Sequence, residues 1–233
     1  MGFNVDKIIE KLKNAKTIFF DLDGTLIDTE KLYFRFWKEA SSFYGFELKD
    51  EDALYMRSIN PISGREYLEK VSNGKLNYQL VREKRIELMN EYLLTHQIEI
   101  KLGAIELLTL LNKEHKNIYI VTANTVKKAE GIIRDLNFMH LVNKVISAKD
   151  VERGKPFPDV YLKACEIVKE NPSNVIVFED SPNGLISSHE AGCFTVMVED
   201  LTSYNEKMDY VDASIKSLLE LNIVYTYART HSK

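Results

Sequence analysis

The chain of 233 residues is 45% hydrophobic and 10% aromatic, enough for one large domain or two modest ones with a sizeable core. A formal net charge of -4 at pH 7 offers no general attraction to nucleic acid or to a membrane, so any phosphate must be held by a local site. Two cysteines, Cys165 and Cys193, exclude a disulfide framework and fit reduced thiols in a cytoplasmic protein, and no apolar run is long enough to span a bilayer.

In chain order, residues 5–14 carry apolar side chains at helical spacing and predict a leading helix with no chemistry of its own. Thr17-Ile18-Phe19-Phe20 is β-branched and aromatic, which predicts a buried strand, and Gly24 breaks the regular backbone soon after it. The residues that separate them include Asp21 and Asp23, two carboxylates two positions apart. In an open α/β sheet, ligands bind beyond the carboxyl ends of the strands, so both acids would reach a crevice there. One carboxylate can attack a phosphoryl group while its neighbour moves protons, and Mg2+ would relieve the repulsion between the two anions. A solvated turn is the competing reading of the same residues, since Asp and Gly are common turn formers. Leu32, Phe36, Ala40 and Phe43 predict an amphipathic helix over 29–44, stopped by Gly45. Residues 49–94 continue in helical patterns, broken at Asn60-Pro61 and Asn73-Gly74, and predict an all-helical insertion.

From Gly103 onward helices and strands alternate: helix 104–113, strand 117–122, helix 125–136, strand 142–146, helix 158–168, strand 174–178, helix 182–191 and strand 194–198. A last helix is predicted over 213–221, with 225–233 as a loosely held tail. Such alternation implies right-handed crossovers and a mainly parallel sheet, which the 17–20 strand would join.

Three further motifs fall at predicted strand ends or helix starts. Thr122-Ala123-Asn124-Thr125 brings a hydroxyl, backbone N–H groups and a helix start together, which suits a phosphate, although a simple helix cap uses the same residues. Lys155 lies in Gly154-Lys155-Pro156-Phe157-Pro158-Asp159, where two prolines stiffen the mount of a single ammonium. Glu179-Asp180-Ser181 follows the strand at 174–178 and offers hard oxygen ligands suited to Mg2+; a capping role for Asp180 or Ser181 could coexist with metal binding.

Taken together, Asp21 with the Asp23-Gly24-Thr25-Leu26 opening, Thr122, the segment around Lys155 and Glu179 to Gly184 resemble the haloacid dehalogenase-like superfamily in order, spacing and strand context. The resemblance spans nearly the whole chain and implies an α/β fold: a Rossmann-like core of residues 1–28 and 98–233, its mainly parallel sheet flanked by helices. Residues 29–97 look like the inserted all-helical cap domain of the subgroup that includes phosphoglycolate phosphatases and beta-phosphoglucomutases. By resemblance, Asp21 is the nucleophile that becomes a phosphoaspartate. Asp23 protonates the leaving oxygen, activates the hydrolytic water and offers its backbone carbonyl to the metal. Asp21 and Asp180 would hold Mg2+, with Glu179 either a ligand or a residue behind the ligands. Thr122, Ala123, Asn124 and Lys155 would hold the transferring phosphoryl group.

Dehalogenases of this superfamily lack the second acid, so Asp23 points to phosphoryl transfer. The related mutases carry a histidine twelve residues after the nucleophile, where this chain has Tyr33, and a phenol cannot exchange protons near neutrality as an imidazole can. The leading expectation is a Mg2+-dependent phosphatase acting on a small phosphorylated metabolite such as a sugar phosphate, as a monomer or weak homodimer. A phosphosugar mutase and a non-catalytic metal-binding regulatory module are the alternatives. Glu30, Tyr33, Arg57 and Arg65 are the candidate specificity residues in the cap, with hinges near 27–31 and 95–102; Trp37 reads more naturally as packing.

Overall fold

The computed structural model describes residues 5–57, 61–200 and 209–231. Among them, β1 (Thr17–Phe20), β2 (Asn117–Thr122), β3 (Lys144–Ser147), β4 (Val175–Glu179), β5 (Phe194–Val198) and β6 (Ala213–Ile215) form one sheet. Its order is β3-β2-β1-β4-β5-β6, and every neighbouring pair is parallel. Strands covered on both faces read as continuous apolar runs, and β1 and β4 are buried at every residue. The chain runs outward from β1 through β2 to β3, then returns to the far side of β1 for the other three strands. The order therefore reverses between β1 and β4, the kind of switch point beyond which α/β sheets bind ligands.

The chain divides into two compact units. One, Met1–Ile27 with Ile100–Lys233, contains the sheet and the helices α1 (Val5–Asn14), α6 (Ala104–Lys113), α7 (Val126–Asp135), α8 (Asp159–Val168), α9 (Pro182–Glu190) and α10 (Leu218–His231). Part of its core is built from Phe19, Val121, Ile146, Val160, Tyr161, Val175 and Val177, with Tyr161 stacked on Phe19 at 6.4 Å between ring centres. Ile27 pairs with Ile100 where the chain leaves and re-enters this unit, and the Lys101 N–H donates to the Leu26 carbonyl (2.9 Å).

Asp28–Glu99 forms the other unit, from α2 (Thr29–Phe43), α3 (Asp50–Arg57), α4 (Pro61–Val71) and α5 (Tyr78–Leu93). Trp37, Ala40, Leu48, Met56, Leu68 and Val81 make a separate apolar cluster there. Asn77 caps α5 by accepting the Leu80 N–H (3.1 Å), and Gly45 supplies the positive φ that ends the turn after α2.

Two expectations at the C-terminus are corrected. Residues 213–221 are not one helix: Ala213–Ile215 is β6, hydrogen-bonded beside β5, and α10 starts only at Leu218. Three residues are too short to display strand alternation. A helix-start signal was nevertheless present, since Ser217 accepts the Glu220 N–H (3.2 Å) while the Glu220 carboxylate reaches back to the Lys216 N–H (2.9 Å).

Nor are residues 225–231 of the expected 225–233 tail loosely held, because α10 continues to His231 with Leu218, Leu221 and Tyr225 on its buried stripe; 232–233 lie outside the described residues. The Tyr225 hydroxyl donates to Glu114 Oε2 (2.7 Å), and Arg229 pairs with the same carboxylate. Tyr225→Ala is therefore expected to lower stability by roughly 3 kcal/mol, the size of a buried aromatic truncation, in urea denaturation. A change within about 0.5 kcal/mol, as at a surface position, would restore the tail reading.

Candidate active site

Beyond β1 the backbone turns back at once, with the Gly24 N–H donating to the Ile27 carbonyl (2.8 Å) and the Leu26 and Ile27 N–H groups to the Leu22 carbonyl. The Asp21 N–H is tied to the Phe178 carbonyl of β4 (2.9 Å), which fixes Asp21 at the point where the strand order reverses. Gly24 adopts φ +87°, and a Cβ placed there would overlap the Asp180 carboxylate. Gly184, in the first turn of α9, is equally constrained, since a Cβ would overlap the Glu179 carboxylate. Both glycines let the backbone close directly onto the acids. Displacing a reacting group by about 1 Å can cost about 100-fold in rate, and a loss of that order is expected in steady-state assays of Gly24→Ala.

Three loops deliver the remaining groups. Lys155, from the segment between β3 and α8, donates to Asp21 Oδ1 and Glu179 Oε1, both at 2.5 Å, and to the Val121 carbonyl at 3.3 Å. Glu179 is fully buried: Tyr161 donates to Oε1 (2.6 Å) and Ser181 to Oε2 (3.2 Å). Asp180 Oδ1 accepts the Thr25 hydroxyl (2.9 Å), while Ser181 caps α9 through the Gly184 N–H (3.1 Å). One carboxylate oxygen from each of Asp21, Glu179 and Asp180 falls within 4.8 Å of the others. Asp23 Oδ2 accepts from the Asn124 amide (2.6 Å), and the Asn124 N–H donates to Thr122 Oγ1 (3.1 Å). Thr125 caps α7 by accepting the Lys128 N–H (3.3 Å), so the helix-start reading of this loop holds alongside any role toward phosphate.

The arrangement agrees with what the chain resembles. Residues 18–198 match the family model for haloacid dehalogenase-like hydrolases. The chain belongs to that family. A validoxylamine A 7'-phosphate phosphatase of Streptomyces hygroscopicus subsp. limoneus is 31% identical over 88% of this chain and 95% of the relative. Hexitol phosphatase A of Escherichia coli K12 is 29% identical over 90% and 94%. The crystal structure of a beta-phosphoglucomutase from Clostridium difficile has the same fold, with a TM-score of 0.72 at 19% identity over 92% of this chain and 96% of that one. This haloacid dehalogenase-like hydrolase is a phosphatase, as its named relatives indicate.

Electrostatics make the hydrolase's acid cluster demanding. Burial pushes the Asp21 carboxyl up to about 8; Lys155 opposes this, while Glu179 and Asp23 add to it. Burial disfavours the Lys155 ammonium, yet Asp21 and Glu179 outweigh it and hold the group above its ordinary range. Four carboxylates, Asp21, Asp23, Glu179 and Asp180, thus gather at the end of the sheet, and Lys155 pairs with two of them. A hard divalent cation fits this donor set, because the residues are oxygen donors whose negative charge exceeds what Lys155 neutralises.

Tyr161, Thr25 and Ser147 are site residues that sequence reasoning passed over. Thr25 stood inside a recognised motif but offered no sign that its partner would be Asp180. Nothing local marks Tyr161 as a partner of Glu179. In the helical unit, Glu30 is buried, Tyr33 half-buried and Arg65 exposed; the Arg57 side chain lies outside the described residues. Trp37 is core, as its spacing suggested. Arg85 of α5 was also missed: it is buried, its guanidinium lies over the Tyr33 and Trp37 rings at 4.7 and 5.0 Å, and its Nε has no hydrogen-bond partner among the described residues.

Proposed function

We propose that this hydrolase is a Mg2+-dependent phosphomonoesterase that cleaves a small phosphorylated metabolite, of the sugar-phosphate kind, through a phosphoaspartyl intermediate. The observation that carries the reading is Asp21, buried at the end of β1 with Lys155 at 2.5 Å and the carboxylates of Glu179 and Asp180 beside it. Asp21 attacks phosphorus, and Lys155, Thr122 and the Ala123 N–H hold the phosphoryl oxygens. Asp23 protonates the departing oxygen and later takes a proton from the water that hydrolyses the phosphoenzyme. Bound Mg2+ supplies positive charge that lets the anionic nucleophile and phosphate approach. Asp21, Asp180 and the Asp23 carbonyl are the proposed ligands. Both Glu179 oxygens already accept hydrogen bonds from Lys155, Tyr161 and Ser181, which favours a place behind the ligands.

The substrate class follows from the named specificities of the relatives, a validoxylamine phosphate and hexitol phosphates. The unit Asp28–Glu99 is proposed as the cap, with Glu30, Tyr33, Arg57, Arg65 and now Arg85 as the residues that select the leaving group. Two buried free cysteines suit a reducing, cytoplasmic setting. The test is phosphate release from a panel of hexose, hexitol and pentose phosphates. Release should need Mg2+, stop in EDTA and return when Mg2+ is restored; a panel with no released phosphate, or release indifferent to EDTA, defeats the proposal. Rapid isomerisation of beta-glucose 1-phosphate in the presence of a bisphosphate, with little hydrolysis, would instead make it a mutase.

A further inference from the structure

We infer that the Asn124 side chain is the positioning residue of the acid–base carboxylate, not a phosphate ligand, and that Ser147 holds it in place; the inference rests on the proposed phosphatase chemistry. Asn124 is engaged at three points. Its amide Nδ2 donates to Asp23 Oδ2 at 2.6 Å, its backbone N–H donates to Thr122 Oγ1 at 3.1 Å, and its backbone carbonyl accepts the Ser147 hydroxyl at 2.7 Å. An asparagine amide nitrogen is a donor only, so a carboxylate oxygen is a matched partner for it.

Ser147 owes its place to the sheet. It ends β3 in register with Thr122 of β2, so its hydroxyl lies one strand away from the loop that Thr122 begins. The residue is buried, and its Oγ also accepts the Lys149 N–H (3.0 Å), which orients the hydroxyl proton toward the Asn124 carbonyl. A line of contacts thus runs from β3 through the loop to Asp23.

Asp21 is buried with its side chain on Lys155, whereas Asp23 is only partly buried and takes the Asn124 amide on Oδ2. A neutral amide can fix the carboxylate's rotamer without clamping it in the ionised form, so the group can both give and take a proton. A lysine at the same place would fix it and hold it ionised.

Two substrates separate this role from phosphate binding or simple folding. Cleavage of a hexose 6-phosphate expels the hexose as an alkoxide that must be protonated, whereas p-nitrophenyl phosphate expels a stable phenolate that need not be. General acid catalysis is worth roughly 100- to 10,000-fold, and Asn124→Ala, which misplaces the acid without removing it, should lower kcat/KM for the hexose phosphate about 30-fold. For p-nitrophenyl phosphate the loss should stay below about threefold, because formation of the phosphoenzyme then needs no proton. Inhibition by inorganic phosphate should be unchanged in the variant. Ser147→Ala, which leaves the amide intact but frees its loop, should show the same selectivity at smaller size.

Equal losses on both substrates, or weakened inhibition by phosphate, would overturn the inference and return Asn124 to phosphate binding. A wild-type enzyme that cleaves both substrates and an Asn124→Ala variant indistinguishable from it would overturn it too. If the wild type cleaves neither these substrates nor any member of the sugar-phosphate panel, the phosphatase chemistry fails and the role of Asn124 falls with it.

Discussion

Asp21→Asn is expected to reduce phosphate release by about 10,000-fold or more while the protein remains folded, because in the proposed mechanism loss of the attacking group removes a covalent step that the rest of the site cannot replace. The substitution is nearly isosteric, and the Asp21 N–H bond to Phe178 is a main-chain contact that survives it. Lys155 keeps Glu179 as a carboxylate partner at 2.5 Å, so no cation is stranded. Circular dichroism and the urea midpoint should therefore change little while turnover disappears. Retention of more than about 1% of the activity would reject the covalent route, since that corresponds to under about 3 kcal/mol of lost transition-state stabilisation.

Lys155→Met is expected to act on stability as well as on rate. The ammonium pairs with both Asp21 and Glu179, and its side chain is 9% exposed, Asp21's 10% and Glu179's 0%. Removing one partner from a buried ionic group typically costs about 3–5 kcal/mol, because the remaining charge has lost its compensation. A loss of that size should appear in urea denaturation with EDTA present, and it should shrink when Mg2+ is added, since a cation bound only by the folded state restores part of the stability. Turnover should fall about 100- to 1,000-fold, the usual effect of deleting one group that stabilises transition-state charge. An unchanged unfolding midpoint in EDTA would mean that the acids do not depend on Lys155, contrary to the geometry.

Much of this molecule is legible from sequence because its signals are local. β1 is an uninterrupted apolar run, α6 a dense apolar stripe, and the acids that follow β1 and β4 are placed by the chain itself once the strands are recognised. The haloacid dehalogenase-like motifs mark Asp21, Lys155 and Asp180 for the same reason, each lying at a strand end or in a proline-stiffened loop. The C-terminus shows where locality fails. β6 is strand only because β5 offers it an edge, and Tyr225 is held because Glu114 waits 111 residues earlier in the chain.

What the residues determined unaided, then, is the succession of helices and strands and the chemical kind of groups delivered to one end of the sheet. Folding alone decided the pairings: Thr25 with Asp180, Asn124 with Asp23, and Tyr161 with Glu179, the first two across 155 and 101 residues. Periodicity reports which face of an element is buried, but a side-chain hydrogen bond depends on register, crossover and loop path together. Those are set only when the strands dock in the order that brings β4 beside β1 and β3 beside β2.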